Sequence, residues 1–328
     1  MNIDAILYNV ILPCLRSPYV LLFSFHAIPS WVKLVSIIYS IALKLFTYLN
    51  DYYKTTGSNK WKNLKDIEDS VIVISGGSGG LGTSLITAIL EKFPNITIIN
   101  IDIIENEIQD SRIEFYQCDM ADPIAVTDTL HQIKEKYLDQ INFIINNAGI
   151  RQQFKNMKDI SMEEMTRILR INCLSPLEII KQLSPGKGNN RQCYIVTVAS
   201  VLGILNPYKV AGYASSKAAL ISLHQSYEQE LRVLKIDNVR TLLVLPGQLN
   251  TKMFSGFKPP RQFWAPTVDT RHLSQEIMKC CESGQRGTLN EPFYSYFAHI
   301  LMSLPYVLQV WIRKFSQIDD CLPTESLQ

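Results

Sequence analysis

Val71-Ile-Val-Ile-Ser75-Gly76-Gly-Ser-Gly-Gly80-Leu-Gly82 is the stretch on which the fold turns. Four β-branched residues, 71–74, run without a break into a glycine cluster. A continuous apolar run of this kind is the pattern of a strand buried on both faces. Residues 81–90 then carry apolar side chains at helical spacing, so the order is strand, tight turn, helix. In that setting the glycines read as a phosphate cradle. Gly76 permits the sharp turn, Gly80 lets the backbone approach a pyrophosphate, and Gly82 lets the helix pack close to the strand. The helix N-terminus adds free N–H groups and a positive dipole end. Outside a strand–helix setting the same cluster would be an ordinary flexible turn.

Downstream, the chain keeps alternating. Residues 96–101 form a second apolar run ending at Asp102, twenty positions past Gly82, where an acid that accepts hydrogen bonds from a ribose belongs. A carboxylate there repels a 2′-phosphate, and positions 77–79 hold no Lys or Arg, so NAD is favoured while NADP stays open as an alternative. A third run, 113–117, ends at Cys118-Asp119. Asp122 before Pro123 caps a helix reaching Tyr137, and a fourth run, 141–145, enters Asn146-Asn147-Ala148-Gly149. Ser161 and Glu164 have the spacing of a capping box at the head of a long helix. That helix carries Asn172 and Pro176 in its interior, where both are locally unfavourable. A fifth run, 193–199, ends at Ser200. Tyr213 and Lys217, at i and i+4 of a following helix, share one face. A protonated lysine beside a phenol is expected to lower its pKa from ~10 toward neutrality, fitting it for proton exchange with an alcohol or carbonyl oxygen. The sixth run, 239–245, enters Pro246-Gly247-Gln248-Leu249-Asn250-Thr251.

Taken together, S-G-x-x-x-G-x-G, N-N-A-G, a serine thirteen residues before Y-x-x-x-K, and P-G-x-x-x-T resemble the classical short-chain dehydrogenase/reductase family over residues 70–251. The one departure is Ser75, where the family has Thr, and it keeps the hydroxyl. The resemblance implies a Rossmann-type doubly wound parallel α/β sheet and a catalytic tetrad of Asn172, Ser200, Tyr213 and Lys217. It also implies cofactor contacts from Ser75, Gly76, Gly80, Leu81, Gly82, Asp102, Asp119, Asn147, Ala148, Gly149, Tyr213, Lys217, Gly247, Leu249 and Thr251. In the family, the acid at Asp119 meets the adenine amino group, Asn172 shapes a water-relay kink, and Thr251 holds the nicotinamide carboxamide. The subgroup most similar is the membrane-bound retinol and hydroxysteroid dehydrogenases, and the chain termini resemble those of an uncharacterised membrane oxidoreductase of yeasts.

The chain has 328 residues, 47% hydrophobic and 19% charged, with a net charge of +2. It is apolar enough to suggest membrane-facing surface. No basic patch interleaved with aromatics argues for nucleic acid. Seven scattered cysteines without a C-x-x-C pair fit a reduced, cytosol-facing protein without a structural zinc site. Residues 5–49 are almost wholly apolar, with no basic n-region or cleavage site to mark a secretory signal. After Pro13, Pro18 and Pro29, residues 31–49 read as one helix, nearly long enough to cross a bilayer core. Lys33, Ser36, Ser40, Lys44 and Thr47 form one polar stripe along it. The helix either spans, with the stripe against another helix, or lies in the interface with the stripe toward headgroups; a core helix of the soluble part is the bland alternative. Four lysines in 54–65 favour the cytosolic side.

The organisation expected is a hydrophobic anchor (1–50), a basic linker (51–69) and the dehydrogenase domain with an apolar C-terminal extension (70–328). Met253, Phe254, Phe257, Phe263 and Trp264, with Pro259 and Pro260, form an aromatic loop that in this architecture covers the substrate. Residues 267–281 read as a helix. Residues 293–312 form a second apolar stretch, either core or membrane-touching, with His299 read as structural. The expected activity is hydride transfer between NAD(P) and a lipid-like alcohol or ketone of sterol, retinoid or fatty-chain type, with Tyr213 as acid/base. The membrane favoured is the endoplasmic reticulum or lipid droplet ahead of the mitochondrial outer membrane, with a homodimer allowed. The alternatives are a non-catalytic nucleotide-binding scaffold and an NADP-dependent lipid ketoreductase.

Overall fold

The computed structural model describes residues 2–19, 29–57, 60–254, 260–320 and 322. Positions 20–28 of the apolar leader, Phe257 and Pro259 of the aromatic loop, and Cys321 lie outside the described residues.

The sheet is seven-stranded and parallel throughout, in the order β3-β2-β1-β4-β5-β6-β7. Its strands are β1 (Ser70–Ser75), β2 (Ile96–Asp102), β3 (Ile113–Gln117), β4 (Ile141–Asn146), β5 (Cys193–Val198), β6 (Val239–Pro246) and β7 (Gly287–Glu291). Successive side chains of a strand point to opposite faces. Ile72 and Ile74 therefore join one core layer, under Leu85, Ile86 and Ile89 of α4 (Leu81–Lys92) and Leu273 and Ile277 of α10 (Thr270–Ser283). Val71 and Val73 join the other, under Val126, Leu130 and Ile133 of α5 (Pro123–Tyr137) and Ile179 and Leu183 of α7 (Ser175–Leu183). Chain order reverses between β1 and β4, so a crevice opens outside their carboxyl ends, where ligands of open α/β sheets bind.

The long helix before α7 has a defect at the place the sequence marks. After α6 (Met162–Leu169), residues Arg170–Leu174 form one π turn. Pro176 supplies no N–H, and such wide turns often sit at functional sites. The capping box forms by half: Ser161 Oγ accepts from Glu164 N (3.1 Å), but the Glu164 carboxylate bonds Lys155 instead of reaching back. Two helices complete this region, the short α8 (Leu202–Leu205) and the long α9 (Ala211–Val233), which carries Tyr213 and Lys217.

The ends of the chain depart most from expectation. Residues 3–16 make α1 (Ile3–Ile6), a π turn (Leu7–Ile11) and α2 (Leu12–Arg16). The apolar helix α3 runs Ser30–Thr55, past the expected end at 49, and is long and apolar enough to cross a membrane. It packs on α2, and of its stripe Ser36 and Ser40 are buried, which agrees with a stripe turned toward another helix. The stretch expected to be a linker is docked under the sheet. Arg240 Nη1 donates to Thr55 O (2.7 Å) and Gly284 O (2.9 Å), and Arg286 Nη1 donates to Thr56 O (2.6 Å). These guanidiniums satisfy carbonyls that a helix C-terminus leaves open, and oppose its negative dipole end. Trp61 lies against Arg240 (4.5 Å to the ring), and Leu64 is buried in the core.

At the C-terminal side, α10 starts three residues later than expected because Asp269 caps it, accepting from Arg271 N and His272 N. The half-buried edge strand β7 was not foreseen. The apolar stretch 293–312 is not one element. It breaks into a 3₁₀ turn (Phe293–Phe297), α11 (Ala298–Ser303) and α12 (Tyr306–Ser316), with Pro305 capping the last.

Candidate active site

The glycine turn is built by close approach. Gly76 has φ +68°, and a Cβ there would stand 2.7 Å from Ala148 Cα; one on Gly82 would stand 2.0 Å from Gly76 O. Neither position tolerates a side chain, so the turn lies directly on the N-N-A-G segment and α4 starts directly on the turn. Ser75 performs the joining: its hydroxyl accepts from Asn147 N and Ala148 N (3.2 Å each). Asn147 Nδ2 donates to Gly76 O (2.7 Å). Gly80 faces Thr251, whose Cγ2 would be 3.1 Å from an added Cβ. Gly247 donates its N–H to Glu291 O (2.6 Å), so β7 holds the P-G-x-x-x-T loop, and Leu249 bridges to Val268.

Asp102 stands at the tip of β2, where its carboxylate accepts from Ser78 N (2.9 Å) and Ile103 N (2.7 Å). Asp119 accepts from Ala121 N (2.9 Å) and pairs with Arg167 (3.1 Å). Sequence reasoning missed three residues here. Asn100 accepts from Gly77 N (3.1 Å), and Asn106 donates to Gly77 O (2.6 Å), so two side-chain amides hold the peptide after Gly76. An asparagine inside the apolar run 96–101 was the available signal for Asn100. Arg167, on the cavity wall, carried no local signal.

The structure brings the four expected catalytic side chains together. Asn172, within the π turn, accepts from Ile150 N and donates to Ile150 O (2.8 Å each) and to Ser216 Oγ (2.9 Å). A carboxamide carries a donor and an acceptor on one planar group and so meets the N–H and C=O of the same residue at once. Lys217 Nζ donates to Val198 O (2.8 Å) and lies 5.9 Å from the centre of the Tyr213 ring. Tyr213 donates its backbone N–H to Gln152 Oε1 (2.9 Å), and its hydroxyl hydrogen bonds Ser200. Phe254 packs edge-on against the Tyr213 ring (5.5 Å). Gly149 leaves the room: a Cβ there would crowd Lys217 Nζ (3.3 Å) and Asn172 Oδ1 (3.4 Å).

The electrostatics correct one expectation. Lys217 does not bring the phenol toward neutrality in this state. Burial pushes Tyr213 up to about 12, against weaker pulls from its Ser200 hydrogen bond and from Arg151, and burial pushes Lys217 down to about 8. Desolvation disfavours the charged form of each group and is the largest cause of both shifts. Arg151, also missed, is the cation that acts on the phenol. It donates to Met253 O and lies over Phe154 (4.1 Å) and Phe254 (5.5 Å). A stability prediction follows from the sign. A lysine depressed from 10.5 to about 8 loses its proton first in the folded state, so its burial penalty falls as pH rises through that interval. The stability of Lys217→Met relative to the unmutated protein should therefore decline from below about pH 8 to above it. Urea unfolding of both proteins at the two pH values checks this, and a constant gap would contradict the burial account.

Ser200, Tyr213 and Lys217 line one cavity of about 1270 Å³ together with the glycine turn, while Asn172 is buried behind its wall. Its glycine end fits a dinucleotide: the cradle has no room for a Cβ at Gly76, Gly77 or Gly82, and α4 presents its N-terminal N–H groups there. A parallel sheet with this switch-point cradle and a Tyr–Lys pair defines a nucleotide-dependent oxidoreductase of Rossmann type. The chain belongs to the short-chain dehydrogenase family, whose description, short chain dehydrogenase, matches residues 70–262, and it is an NAD(P)-dependent oxidoreductase of that type.

Among relatives, it is 45% identical over 326 residues to uncharacterized oxidoreductase TDA5 of Saccharomyces cerevisiae, covering 99% of this chain and 100% of that one. It is 24% identical to retinol dehydrogenase 10-B of Danio rerio, covering 79% and 85% of the two chains. A short chain dehydrogenase of Burkholderia cenocepacia solved with NADP superposes with a TM-score of 0.59 at 20% identity, covering 75% and 97%. That likeness concerns the fold.

Proposed function

We propose that the protein is a membrane-associated, NAD-preferring dehydrogenase that interconverts a lipid-like secondary alcohol and its ketone. The observation that carries this reading is the cavity. From Tyr213 it continues along an apolar wall that includes Leu202, Leu205, Val210, Trp264, Ile300 and Leu304. Such a wall suits a long hydrophobic substrate whose oxygen reaches the tetrad. The similarity to a retinol dehydrogenase supports a lipid substrate, and the apolar α3 supports membrane association. The lysines at 54, 60, 62 and 65 support a catalytic domain on the cytosolic side.

In this reading Gly76, Gly80, Leu81, Gly82 and the N-terminus of α4 hold the pyrophosphate. Asp102 holds the ribose hydroxyls, Asp119 the adenine, Asn147 to Gly149 the central part, and Gly247, Leu249 and Thr251 the nicotinamide. The nicotinamide, when bound, accepts or gives the hydride. Ser200 donates a hydrogen bond to the substrate oxygen, and Tyr213 Oη exchanges the proton with that oxygen. Lys217 supplies positive charge beneath the phenol, and Asn172 holds open the backbone path through Ile150.

At the adenosine end Glu107 joins Asp102 on the cavity wall beside Ile103 and Ile104, so the local charge disfavours a 2′-phosphate. The expected result is tighter binding of NAD than NADP, with Asp102→Ala narrowing the ratio about tenfold. Titration of both nucleotides into both proteins measures it, and tighter NADP binding to the unmutated protein would reverse the cofactor assignment. The activity itself is tested by incorporating the full chain in liposomes with NAD and a long-chain secondary alcohol. Formation of reduced cofactor supports the reading; its absence with all alcohols tried, together with no oxidation of NADH by the corresponding ketones, would leave a nucleotide-binding scaffold.

A further inference from the structure

Helix α12 has an unusual surface. Tyr306 is 80% exposed, Trp311 64% and Val307 53%, and no residue of the helix is buried. Gln309, Arg313 and Ser316 share one face of α12, while the broad apolar face includes Val307, Trp311, Ile312 and Phe315, the last two also lining the substrate cavity. An amphipathic helix is stable with its apolar face against a protein core or in the lipid interface, and no described part of the chain covers the part that carries Val307 and Trp311. Residues 292–318 contain no Asp or Glu, while α12 ends in Arg313 and Lys314. Arg313 is tied down by Asp319 (2.7 Å) and donates to Leu205 O (2.7 Å), so that end of α12 is fixed to the cavity wall.

The patch does not stand alone. Ile3 N donates to Phe263 O (2.9 Å), and Asp4 accepts from Phe293 N (3.1 Å). Tyr8 meets Phe293 edge-on (6.2 Å), and Phe293 meets Phe297 (5.2 Å). Apolar surface thus continues from the N-terminal segment through Phe297 to Ile300 and Met302 of α11, themselves exposed. Arg240 and Arg286 fix the far end of α3 to the domain. Exposed Trp and Tyr with flanking bases and no acids are the composition of a membrane interface.

We propose that α12 and the exposed face of α11 lie in the same lipid bilayer as α3, so that the substrate cavity opens into the membrane. The proposal rests on the reading of the chain as membrane-associated and adds the route of its substrate. A lipid substrate passes from the acyl region between α11 and α12 to Tyr213 without crossing water. The N-terminal helix is then not the sole attachment.

The test uses the full chain in phosphatidylcholine–phosphatidylserine liposomes with brominated acyl chains. The emission of Trp311, taken as the difference between the unmutated protein and Trp311→Phe because Trp31 of α3 meets the same lipid, should be quenched by bromolipid by more than about twofold relative to unbrominated lipid, since bromine quenches only on contact with the acyl region. In unbrominated liposomes Val307→Asp/Trp311→Asp should raise KM about tenfold for a membrane-dissolved long-chain secondary alcohol, because each carboxylate must leave the acyl region. For a short water-soluble secondary alcohol, KM and kcat should stay within about twofold, because neither residue lines the cavity. Emission from Trp311 that bromolipid leaves unchanged would overturn the proposal. So would unquenched emission with cross-linked dimers through α12, which would assign the face to a second copy. Should the double variant fail to fold, the quenching comparison decides alone. Turnover of neither alcohol by the unmutated protein would count against the dehydrogenase reading, leaving the quenching result to judge the membrane contact.

Discussion

Tyr213→Phe is expected to lower turnover by about a thousandfold while leaving the fold and cofactor affinity nearly unchanged, the loss typical of removing a positioned acid/base. The variant deletes one hydroxyl. The ring keeps its contact with Phe254 and its backbone bond to Gln152, and the sheet is untouched. In the structure the phenol is buried and held near 12, so at neutral pH it carries its proton. It is set to donate to a ketone oxygen, and in the oxidative direction it must be helped to give the proton up. Lys217 and Arg151 are the nearby cations that can help. Single-turnover formation of reduced cofactor, beside thermal unfolding and cofactor titration, measures each part. Turnover within tenfold of the unmutated protein would remove Tyr213 from the acid/base role.

Gly82→Ala is the second large effect. Its Cβ would stand 2.0 Å from Gly76 O and 2.8 Å from Gly77 Cα, both backbone atoms that cannot swing aside. The first turn of α4 must lift off the glycine turn. The phosphate cradle and the contact of α4 with the sheet are then lost together. Overpacking of this kind costs about 1–3 kcal/mol or more, so the melting temperature should fall by roughly 2–4 °C per kcal/mol for a domain of this size. Cofactor affinity should drop at least about tenfold with it. Gly79→Ala is the control for stability, because an added Cβ there meets nothing within 4 Å. Equal melting temperatures for the two variants would show that the close approach at Gly82 does not support the fold.

The first six strands and their order of appearance were legible because each rests on local chemistry, and the resemblance named the four side chains that the structure brings together. A strand buried on both faces is mostly apolar, so 71–74, 96–101 and 141–145 announce themselves despite Asn100 and Asn142. A turn that admits no Cβ must be glycine. Asn172, whose amide satisfies the N–H and C=O of Ile150 together, stands out because a helix interior would rather not have an asparagine.

What tertiary structure decided has no local mark. Strand β7 is short and half-buried on an edge, where composition is unconstrained. Arg240, Arg286 and Arg167 look like surface charges until the fold brings helix carbonyls or a carboxylate to them. The basic stretch after α3 looks like a tether until Trp61 and Leu64 find the underside of the sheet. The pKa values of Tyr213 and Lys217 depend on how far water is excluded, which i, i+4 spacing does not report. Spacing along the chain determines which side chains share a face. Desolvation and long-range partners, set only when distant segments pack, determine what those side chains then do.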